Sequence, residues 1–544
     1  MKRILSIFLL LVLLAACAPA PATPPTTLSA TPVPATQAVS TTEPGPPEQV
    51  YPWWREAVFY EIFVRSFNDS NGDGIGDFNG ITQKLDYLKT LGVNAIWLMP
   101  INPSPSYHGY DVLNYYAVNP QYGTLQDFNN LLNAAHAKGI RIIIDLVLNH
   151  TSAQHPWFVD AQSGAQSKYR DWYVWSETNP GQYWNQGNSG FYYSYFWGGM
   201  PDLNYRNPEV TAQMEKVSAY WLTTIGVDGF RIDAVKHLIE QGKKVENTPE
   251  THAWLKEYYS FYKAEKADAY TVGEVGGAGG LMAKLYTEQT DQIFNFELAS
   301  AIVNSAMGGA NSSVLSGYKF FLKDKPDGDF ATFLTNHDQV RVMSVLNTDE
   351  NKAKVAAFLL LTAPGTPFIY YGEEIGMQGK KPDEDLRLPM QWSADPATAG
   401  FTSGKPWRSP HASTAQINVA TQDGTANSLL NHYRSLIALR TAHPAMKTGS
   451  VALLETGSPQ VFALLRKQGK ETILVLVNLG DKPVSDYKLA LTETGTLSDG
   501  SFNLETLFGG LDTLAALAVS AGKFSAYQPL PELPPYATII AILK

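Results

Sequence analysis

The chain has 544 residues, too many for one small core, so roughly two to four domains are expected. Hydrophobic residues make up 44% of it and charged residues only 17%, a composition that excludes a disordered protein and favours large cores. The formal net charge of -10 would repel a phosphate backbone, so we expect no nucleic-acid partner. The twelve Trp and twenty-eight Tyr are compatible with sugar binding, because flat rings stack on the apolar faces of sugars.

The N-terminus has the pattern of a secretory signal. Two basic residues precede an apolar run over residues 4–14, followed by small residues and Cys17. The run is shorter than the ~20 residues that span a bilayer, which argues against the alternative of a transmembrane anchor. Residues 14–17, Leu-Ala-Ala-Cys, resemble the bacterial lipobox, in which the cysteine is lipidated. We therefore predict a lipoprotein signal peptide over 1–17 and a lipid-anchored protein at the cell surface or in the periplasm.

A linker follows this signal. Residues 18–50 are rich in Pro, Thr, Ala and Ser and lack apolar periodicity, which is typical of an extended tether. Cys17 is the only cysteine, so a disulfide framework within the chain is excluded.

Beyond the tether, short apolar runs alternate with longer helical stretches. The eight candidate strands are 58–64, 95–99, 142–148, 229–232, 270–273, 293–296, 332–334 and 367–371. Strands separated by helices form parallel βαβ units, and eight such units close into a (β/α)8 TIM barrel. The predicted fold class is therefore α/β, with an active site at the carboxyl ends of the strands.

Two segments depart from this repeat. Residues 150–205 are rich in Trp, Tyr, Gly and Asn and have little helical periodicity, so we expect a small inserted domain after strand three. Residues 446–544 contain alternating apolar runs separated by Gly, Asp and Pro, which predict a C-terminal antiparallel β-sandwich. The barrel would then comprise residues 51–149 and 206–445.

Acidic side chains fall at the carboxyl ends of several predicted strands. Asp233 follows strand four, Glu274 strand five and Asp338 strand seven, so three carboxyl groups would meet at one mouth. One such Asp is usually a helix cap, but three acids accompanied by His150 and Arg231 are poorly explained by capping. Glycoside hydrolysis needs one carboxyl group to protonate the leaving oxygen and a second to act on the anomeric carbon. A separation of about 5 Å gives retention through a covalent intermediate.

These segments resemble the conserved regions of the α-amylase family. Residues 229–237 are G-F-R-I-D-A-V-K-H and residues 336–338 are N-H-D, and the resemblance extends in order over about 53–544. Residues 200–204, M-P-D-L-N, resemble a motif of members between the oligo-1,6-glucosidase and neopullulanase groups. The resemblance implies a retaining glycoside hydrolase that acts on α-glucosidic bonds.

Position by position, the resemblance implies three catalytic roles. Asp233 would be the nucleophile, Glu274 the general acid/base, and Asp338 a third acid that orients sugar hydroxyls and helps to distort the ring. Glu274 must be protonated when the substrate arrives. Arg231 lies two residues before the nucleophile on the same strand face, so we expect it to keep Asp233 ionised.

The resemblance also assigns residues that contact the substrate. His150 and His337 would bind sugar hydroxyls more tightly in the transition state than in the ground state. Tyr110 would stack beneath the sugar at the cleavage site, although core packing is an equal alternative for an isolated Tyr. The predicted substrate-binding residues are His108, Tyr110, Asp111, His150, Arg231, Lys236, His237, His337 and Arg387.

Two pairs of residues point to different specificities. Lys236 and His237 match residues that bind the leaving side in α-amylases, which favours endo-cleavage of α-1,4-glucans. Asp111 and Arg387 resemble the pair that closes the pocket around a terminal glucose in exo-acting enzymes. We predict an α-amylase acting on starch and maltooligosaccharides. The alternative is an exo-acting α-glucosidase, oligo-1,6-glucosidase or cyclomaltodextrinase-like enzyme, and transglycosylation is open to any retaining intermediate.

A loop after the first strand carries oxygen ligands at alternate positions. They are Asp69, Asn71, Asp73, Ile75 and Asp77, interleaved with glycines. The spacing resembles the first half of an EF-hand loop, and the family resemblance implies a structural Ca2+ here. The alternative is a hydrated Asp/Asn/Gly turn. Asn149, Asp202 and the carbonyl of His237 match a second family calcium site, which some relatives lack.

Two hypotheses from other classes stay open at this stage. One is a surface lipoprotein that captures α-glucans without turnover, and such proteins typically lose catalytic acids that this sequence retains. The other is a purely structural barrel lipoprotein, which does not explain the polar residues at the strand ends. A monomer is expected.

Overall fold

The computed structural model describes residues 51–277, 279–510 and 513–544. The predicted signal peptide, the tether and the lipidation site Cys17 lie outside the described residues. Within these ranges no helix combines the length and the hydropathy needed to cross a membrane.

Eight parallel strands form one closed sheet. In chain order they are Phe59–Ile62, Ala95–Leu98, Arg141–Leu146, Gly229–Ile232, Tyr270–Gly273, Gln292–Ile293, Ala331–Thr332 and Thr366–Tyr370. Strands that are consecutive in this series are neighbours in the sheet, and the eighth pairs with the first. A parallel bridge between Phe294 and Ala331 joins the sixth strand to the seventh. The predicted TIM barrel is confirmed, and each of the eight predicted strands overlaps an observed one.

Aromatic side chains fill the inside of the barrel. Phe59 and Phe368 stack with ring centroids 4.3 Å apart, and Trp97 packs against Phe294 at 5.5 Å. Barrel strands are covered by helices outside and by these rings inside, which explains why their sequences are apolar on both faces.

Helices surround the barrel and connect its strands. The α-helices are Val64–Phe67, Phe78–Gln83, Leu85–Leu91, Leu125–Ala137, Pro156–Ala161, Pro208–Ala219, Pro249–Glu265, Gly279–Leu285, Phe296–Gly308, Ser312–Leu322, Val342–Val345, Glu350–Thr362, Asp383–Leu386, Val419–Asp423, Leu429–Ala442 and Pro444–Thr448. Short 3₁₀ turns lie at Trp53–Glu56, Arg170–Trp172, Val235–His237 and Glu373–Ile375, and a π-helical segment at Tyr220–Ile225. Local sequence sets their ends, as where Thr124 and Asp127 form a reciprocal capping box before Leu125–Ala137.

The segment after the third barrel strand forms a small antiparallel insert. Its strands are Trp175–Ser176, Trp184–Gly187 and Gly190–Tyr193, with the last in the centre. A bridge between His150 and Asp202 ties its two ends together. The insert also contains the helix Pro156–Ala161, which weak periodicity did not indicate.

The C-terminal region contains antiparallel sheets in two layers. One sheet has five strands, which are in spatial order Ser450–Leu453, Val461–Gln468, Glu471–Asn478, Thr538–Leu543 and Leu504–Phe508. Two ladders, Leu489–Leu491 with Phe524–Tyr527 and Gly500–Phe502 with Leu517–Val519, accompany it. Successive residues alternate between its faces: Phe462 and Leu464 join the barrel core, whereas Val461 and Ala463 join a separate core with the ladders.

Two buried arginines, Arg466 from this sheet and Arg440 from the helix Leu429–Ala442, donate to carbonyl oxygens at one helix end. Arg466, in the second sheet strand, donates to the carbonyl oxygen of Thr362 at 2.8 Å. Arg440 donates to the carbonyl oxygens of Leu361 at 2.9 Å and Ala363 at 2.8 Å. The end of the helix Glu350–Thr362 therefore obtains its hydrogen-bond donors from side chains.

Candidate active site

Two acids at the carboxyl ends of the fourth and fifth strands share one guanidinium group. Nη1 of Arg231 lies 2.7 Å from Oδ1 of Asp233, and Nη2 lies 2.9 Å from Oε2 of Glu274. Only 1% of the Arg231 side chain is exposed, whereas 29% of Glu274 is open to the cleft. The shared guanidinium keeps both carboxyl groups at one mouth, within the about 10 Å that hydrolytic pairs span.

A third carboxylate, Asp145 in the third strand, anchors the same guanidinium. Nη1 of Arg231 donates to Oδ1 of Asp145 at 2.9 Å, and the hydroxyl of Tyr110 donates to Oδ2 at 3.0 Å. The indole N–H of Trp97 points to Oδ2 at 3.3 Å. Sequence reasoning did not select Asp145 as a site residue. The sequence feature that could have identified Asp145 is its position inside an apolar strand, because a charged acid is rarely buried without a partner.

Burial raises the pKa of Asp233 to about 8; Arg231 opposes this increase, and the carboxylates of Glu274 and Asp145 add to it. Burial therefore works against the expectation that Arg231 keeps Asp233 ionised. The guanidinium favours the anion, but its single charge is divided among three carboxyl groups and burial outweighs it. Asp233 consequently binds its proton more tightly than an ordinary carboxyl group does.

The residue after the nucleophile has an unusual backbone. Ala234 has a φ of 48°, in the left-handed region, which costs on the order of 1 kcal/mol or more for a residue with a Cβ. Its N–H donates to Oε2 of Glu274 at 3.2 Å. The turn thus gives Glu274 a second donor and fixes its carboxyl group beside the fourth strand.

Asp338 lies half exposed in the same cleft. Oδ1 accepts from Nη2 of Arg387 at 2.8 Å, and Oδ2 lies 3.2 Å from Nε2 of His337. Enclosure in the cleft would raise the pKa of Asp338, but His337, Arg387 and Arg231 hold it well below its usual range. Asp338 is therefore ionised at neutral pH.

His337 is buried and faces acids on both sides. Nδ1 lies 2.5 Å from Oε1 of Glu61, and Nε2 lies 2.8 Å from the hydroxyl of Tyr110. Burial would lower the pKa of His337, but Asp338 and Glu61 raise it to about 9. The ring is thus an imidazolium at neutral pH, and both nitrogens donate. Sequence reasoning did not select Glu61.

His150 has the opposite charge state. Burial lowers the pKa of His150 to about 4, so the ring is neutral. Nε2 donates to the carbonyl oxygen of Tyr110 at 3.1 Å, and Nδ1 lies 3.4 Å from Nδ2 of Asn149. The predicted contact of His150 with a sugar hydroxyl requires one of these bonds to be exchanged, and it stays a prediction.

The predicted leaving-side residues lie together after the fourth strand. Nζ of Lys236 pairs with Oε2 of Glu246 at 2.6 Å. Nδ1 of His237 donates to the carbonyl oxygen of Val245 at 2.9 Å, and the Tyr195 ring stacks on it with centroids 3.9 Å apart. The insert thus supplies an aromatic cover for this end of the cleft.

A second aromatic ring from the insert connects the two histidines. Phe196, 47% exposed, lies 5.4 Å from the ring of His150 and 6.0 Å from that of His237. The sequence did not indicate this ring, because it lies in an irregular segment rich in aromatic residues.

A wall of side chains bounds another part of the cleft beside Asp338. Arg387 lies under the ring of Tyr107, 5.6 Å from its centroid. Tyr107 in turn stacks on Trp407 with centroids 5.7 Å apart.

The other members of the predicted pocket closure lie close by. Oδ1 of Asp111 accepts hydrogen bonds from the hydroxyls of Ser104 and Ser106. Nδ1 of His108 accepts from the N–H of Tyr110 at 3.2 Å, and burial lowers the pKa of His108 although Asp111 opposes this. Arg387 has its ion pairs with Asp338 and Asp383 in the described part of the chain, and none with Asp111.

The predicted calcium loop folds back on its own side chains. Oδ1 of Asp69 accepts from the N–H groups of Asn71 and Gly72, and Oδ1 of Asp73 accepts from that of Ile75 at 2.8 Å. The donor set is oxygen throughout, which suits a hard cation. No group of three or more His, Cys, Asp and Glu side chains is placed to hold a metal within residues 51–277, 279–510 and 513–544. Asp77 also caps the helix Phe78–Gln83.

The second predicted calcium site has two buried atoms without a hydrogen-bond partner in the described structure. They are Oδ1 of Asn149 and Oδ2 of Asp202. Burial raises the pKa of Asp202 well above its usual range. A cation bound at these oxygens would satisfy both atoms, so the residues fit calcium.

A parallel barrel with two acids at its strand ends has the groups that glycoside hydrolysis requires. The family described as "Alpha amylase, catalytic domain" matches residues 61–449. Alpha-amylase 3 of Dictyoglomus thermophilum is 43% identical over 437 residues, 79% of this chain and 85% of that protein. The oligo-1,6-glucosidase of Heyndrickxia coagulans is 33% identical over 541 residues, 82% of this chain and 97% of that protein.

A solved structure gives the same result. The crystal structure of alpha-amylase from H. orenii is 40% identical and has a TM-score of 0.78, covering 90% of this chain and 99% of that one. The chain belongs to the α-amylase family of glycoside hydrolases.

Proposed function

We propose that this enzyme is an α-amylase that hydrolyses α-1,4-glucosidic bonds of starch and maltooligosaccharides with retention of configuration. The observation that carries the proposal is the Arg231 guanidinium between Asp233 and Glu274. Two acids on one guanidinium suit the short separation of a retaining site better than the wider one of an inverting site. Similarity to a named α-amylase supports the choice of substrate.

In the first half-reaction, a carboxylate oxygen of Asp233 attacks the anomeric carbon while Glu274 gives its proton to the glycosidic oxygen. The bond between the anomeric carbon and that oxygen breaks, its electron pair stays on the oxygen, and the leaving sugar departs as an alcohol. Asp233 loses its negative charge as the ester bond forms, while Arg231 stays beside it. Asp338, which its partners keep ionised, would accept hydrogen bonds from sugar hydroxyls and stabilise the positive charge that develops on the sugar ring.

In the second half-reaction, the ionised Glu274 removes a proton from water, and the water oxygen attacks the same carbon. The ester bond to Asp233 breaks, and its electron pair returns to the carboxylate. The product is a reducing sugar with the original configuration. A second sugar can replace water at this step, which gives transglycosylation.

The test uses purified full-length chain with maltoheptaose. We expect the first product to be the α-anomer by proton NMR, and Glu274→Gln to lose at least about 10³-fold in kcat. The matched control Glu250→Gln, an exposed acid paired with Arg206, should retain wild-type kcat. A β-anomer as first product would overturn the retaining mechanism, and undiminished turnover in Glu274→Gln would overturn the assignment of Glu274. A chain that binds starch without releasing reducing ends would instead be a glucan-binding lipoprotein.

The leaving-side rings favour endo-cleavage, because Tyr195 and Phe196 provide stacking surface beyond the bond that is cut. The wall of Tyr107, Trp407 and Arg387 favours the runner-up, an exo-acting oligosaccharide glucosidase. Loss of iodine colour from amylose, compared with reducing ends formed, separates the two. An endo enzyme removes colour early, whereas an exo enzyme releases many ends before the colour fades.

We also propose structural calcium. The atoms that would hold it are the oxygens of Asn149 and Asp202, with the carbonyl of His237, and those of the loop from Asp69 to Asp77. Bound calcium would supply charge that neutralises buried carboxylates, and it takes no part in the proposed proton transfers.

We also propose that the enzyme is exported and anchored to a membrane. Cleavage before Cys17 would remove residues 1–16, and Cys17, as the new N-terminus, would carry the lipid that anchors a monomeric enzyme at the cell surface or in the periplasm. Cys17→Ser is expected to move the activity from the membrane fraction to the soluble fraction. If the wild-type protein and Cys17→Ser divided in the same proportion between the membrane and soluble fractions, the lipid anchor would be contradicted.

A further inference from the structure

The first barrel strand carries a buried acid that the mechanism above does not use. Glu61 lies within Phe59–Ile62 and is 2% exposed. Its Oε1 is 2.5 Å from Nδ1 of His337, a residue 276 positions later in the chain. A charged acid in a barrel strand is costly unless it is paired, so its position is an argument that the pairing matters.

His337 connects this acid to two side chains of the cleft. Nε2 is 2.8 Å from the hydroxyl of Tyr110 and 3.2 Å from Oδ2 of Asp338. The His337 side chain is 0% exposed, whereas 48% of Asp338 is open. Tyr110 and Asp338 therefore lie on the cleft side of the ring and connect it to the place where a sugar would bind.

We propose that Glu61 is a positioning residue, whose buried carboxylate holds His337 from behind as an imidazolium and so fixes Tyr110 and Asp338 for the reaction. This inference rests on the proposed function of the cleft. A neutral imidazole has one N–H and could not donate on both sides at once. Glu61 accepts the hydrogen bond from Nδ1, so Nε2 keeps its own proton and can donate to Tyr110 and Asp338.

The surroundings of His337 agree with this charge state. Glu61, Tyr110 and Asp338 contact the ring. Arg387 donates to the carbonyl oxygen of His337, and Arg231 and Asp145 contact Tyr110. The carboxylates outnumber the arginines among them, which offsets the charge of a buried imidazolium.

The test is Glu61→Gln, which keeps the size of the side chain and removes its charge. We expect kcat on maltoheptaose to fall by at least about tenfold while KM stays within about twofold, because orientation of bound groups is lost. The matched control is Glu374→Gln, a fully buried acid that accepts from the hydroxyls of Tyr60 and Tyr87 and not from a histidine. Glu374→Gln should keep wild-type kcat.

A second measurement does not depend on activity. The ¹⁵N chemical shifts of the ten histidine rings report the charge of each ring. The signal of His337 is the one that is missing from the spectrum of the His337→Gln variant. We expect His337 to be an imidazolium at pH 7.5 in the wild-type protein and to lose its proton at lower pH in Glu61→Gln. A neutral His337 in wild-type protein at pH 7.5 overturns the proposal even if the variant does not fold. Equal kcat in wild type and Glu61→Gln overturns it as well, whereas an inactive wild type contradicts only the proposed function.

Discussion

The guanidinium of Arg231 lies 2.7 Å from the carboxylate of Asp233, which directly follows the strand Gly229–Ile232. Residues i and i+2 of a strand share a face, so the contact is set by local geometry and survives movement of loops. The same guanidinium binds Asp145 and Glu274, and one cation therefore organises three acids.

We expect Arg231→Lys to lose on the order of 10²–10³-fold in kcat with maltoheptaose. An ammonium group is a compact charge and cannot present the planar fork that binds Asp233 and Glu274 together. The control Arg141→Lys changes a partly exposed arginine of the neighbouring strand, which pairs with Asp228, and should leave kcat unchanged. Comparable kcat in both variants would show that the fork is not needed.

The pH profile of kcat/KM should have an alkaline limb near pH 8. Asp233 loses its proton there, because burial raises its pKa to about 8, and the site then lacks the proton that the first half-reaction delivers to the glycosidic oxygen. Steady-state rates from pH 5 to pH 10 at low substrate measure this limb. A profile that stays flat to pH 10 would contradict the raised pKa of Asp233.

Thermal stability should fall as pH rises from 6.5 to 9. The pKa of His337 is raised to about 9 from an unfolded value near 6.5, so its stabilising contribution is complete below about pH 6.5 and lost through about pH 9. Calorimetric Tm values across this window, compared with those of His337→Gln, test the origin of the slope. The variant should show a shallower slope, and an equal slope would assign it to other groups.

Phe196→Ala should weaken the leaving side of the cleft. Loss of one stacking ring is expected to lower kcat/KM for maltoheptaose by about 3- to 10-fold. The control Phe320→Ala removes an equally exposed ring from the outer helix Ser312–Leu322 and should have no effect. Equal values for Phe196→Ala and wild type would remove the insert from substrate binding.

Calcium removal should lower the Tm. A ligand at 100 times its Kd stabilises the folded state by about 2.7 kcal/mol, so EDTA should reverse a stabilisation of this order. Asp202→Asn should bind one fewer calcium by metal analysis, because the buried Oδ2 of Asp202, which has no hydrogen-bond partner in the described structure, is its anchor. Asp268→Asn, at an exposed acid paired with Arg141, is the control. Equal calcium content in both variants would contradict the site at Asp202.

Much of this architecture was predictable from the sequence, because the signals were local. Each barrel strand is a short apolar run, Asp233 and Glu274 directly follow such runs, and Asp338 lies a few residues beyond another. Glu61 was not predictable, because its meaning depends on a partner 276 residues away. Sequence also could not weigh burial against Arg231 at Asp233, since that balance depends on how many acids share the guanidinium.

The arginines Arg440 and Arg466 have a consequence for how the molecule comes apart. Both side chains end on carbonyl oxygens around the C-terminus of Glu350–Thr362, deep between barrel and sheet. Separating the sheet from the barrel would break the bond from Arg466 to Thr362 and would open the buried guanidinium of Arg440 to water. Residues 51–544 should therefore melt as a single cooperative unit, and a protein truncated before the C-terminal sheet should accumulate as insoluble aggregate.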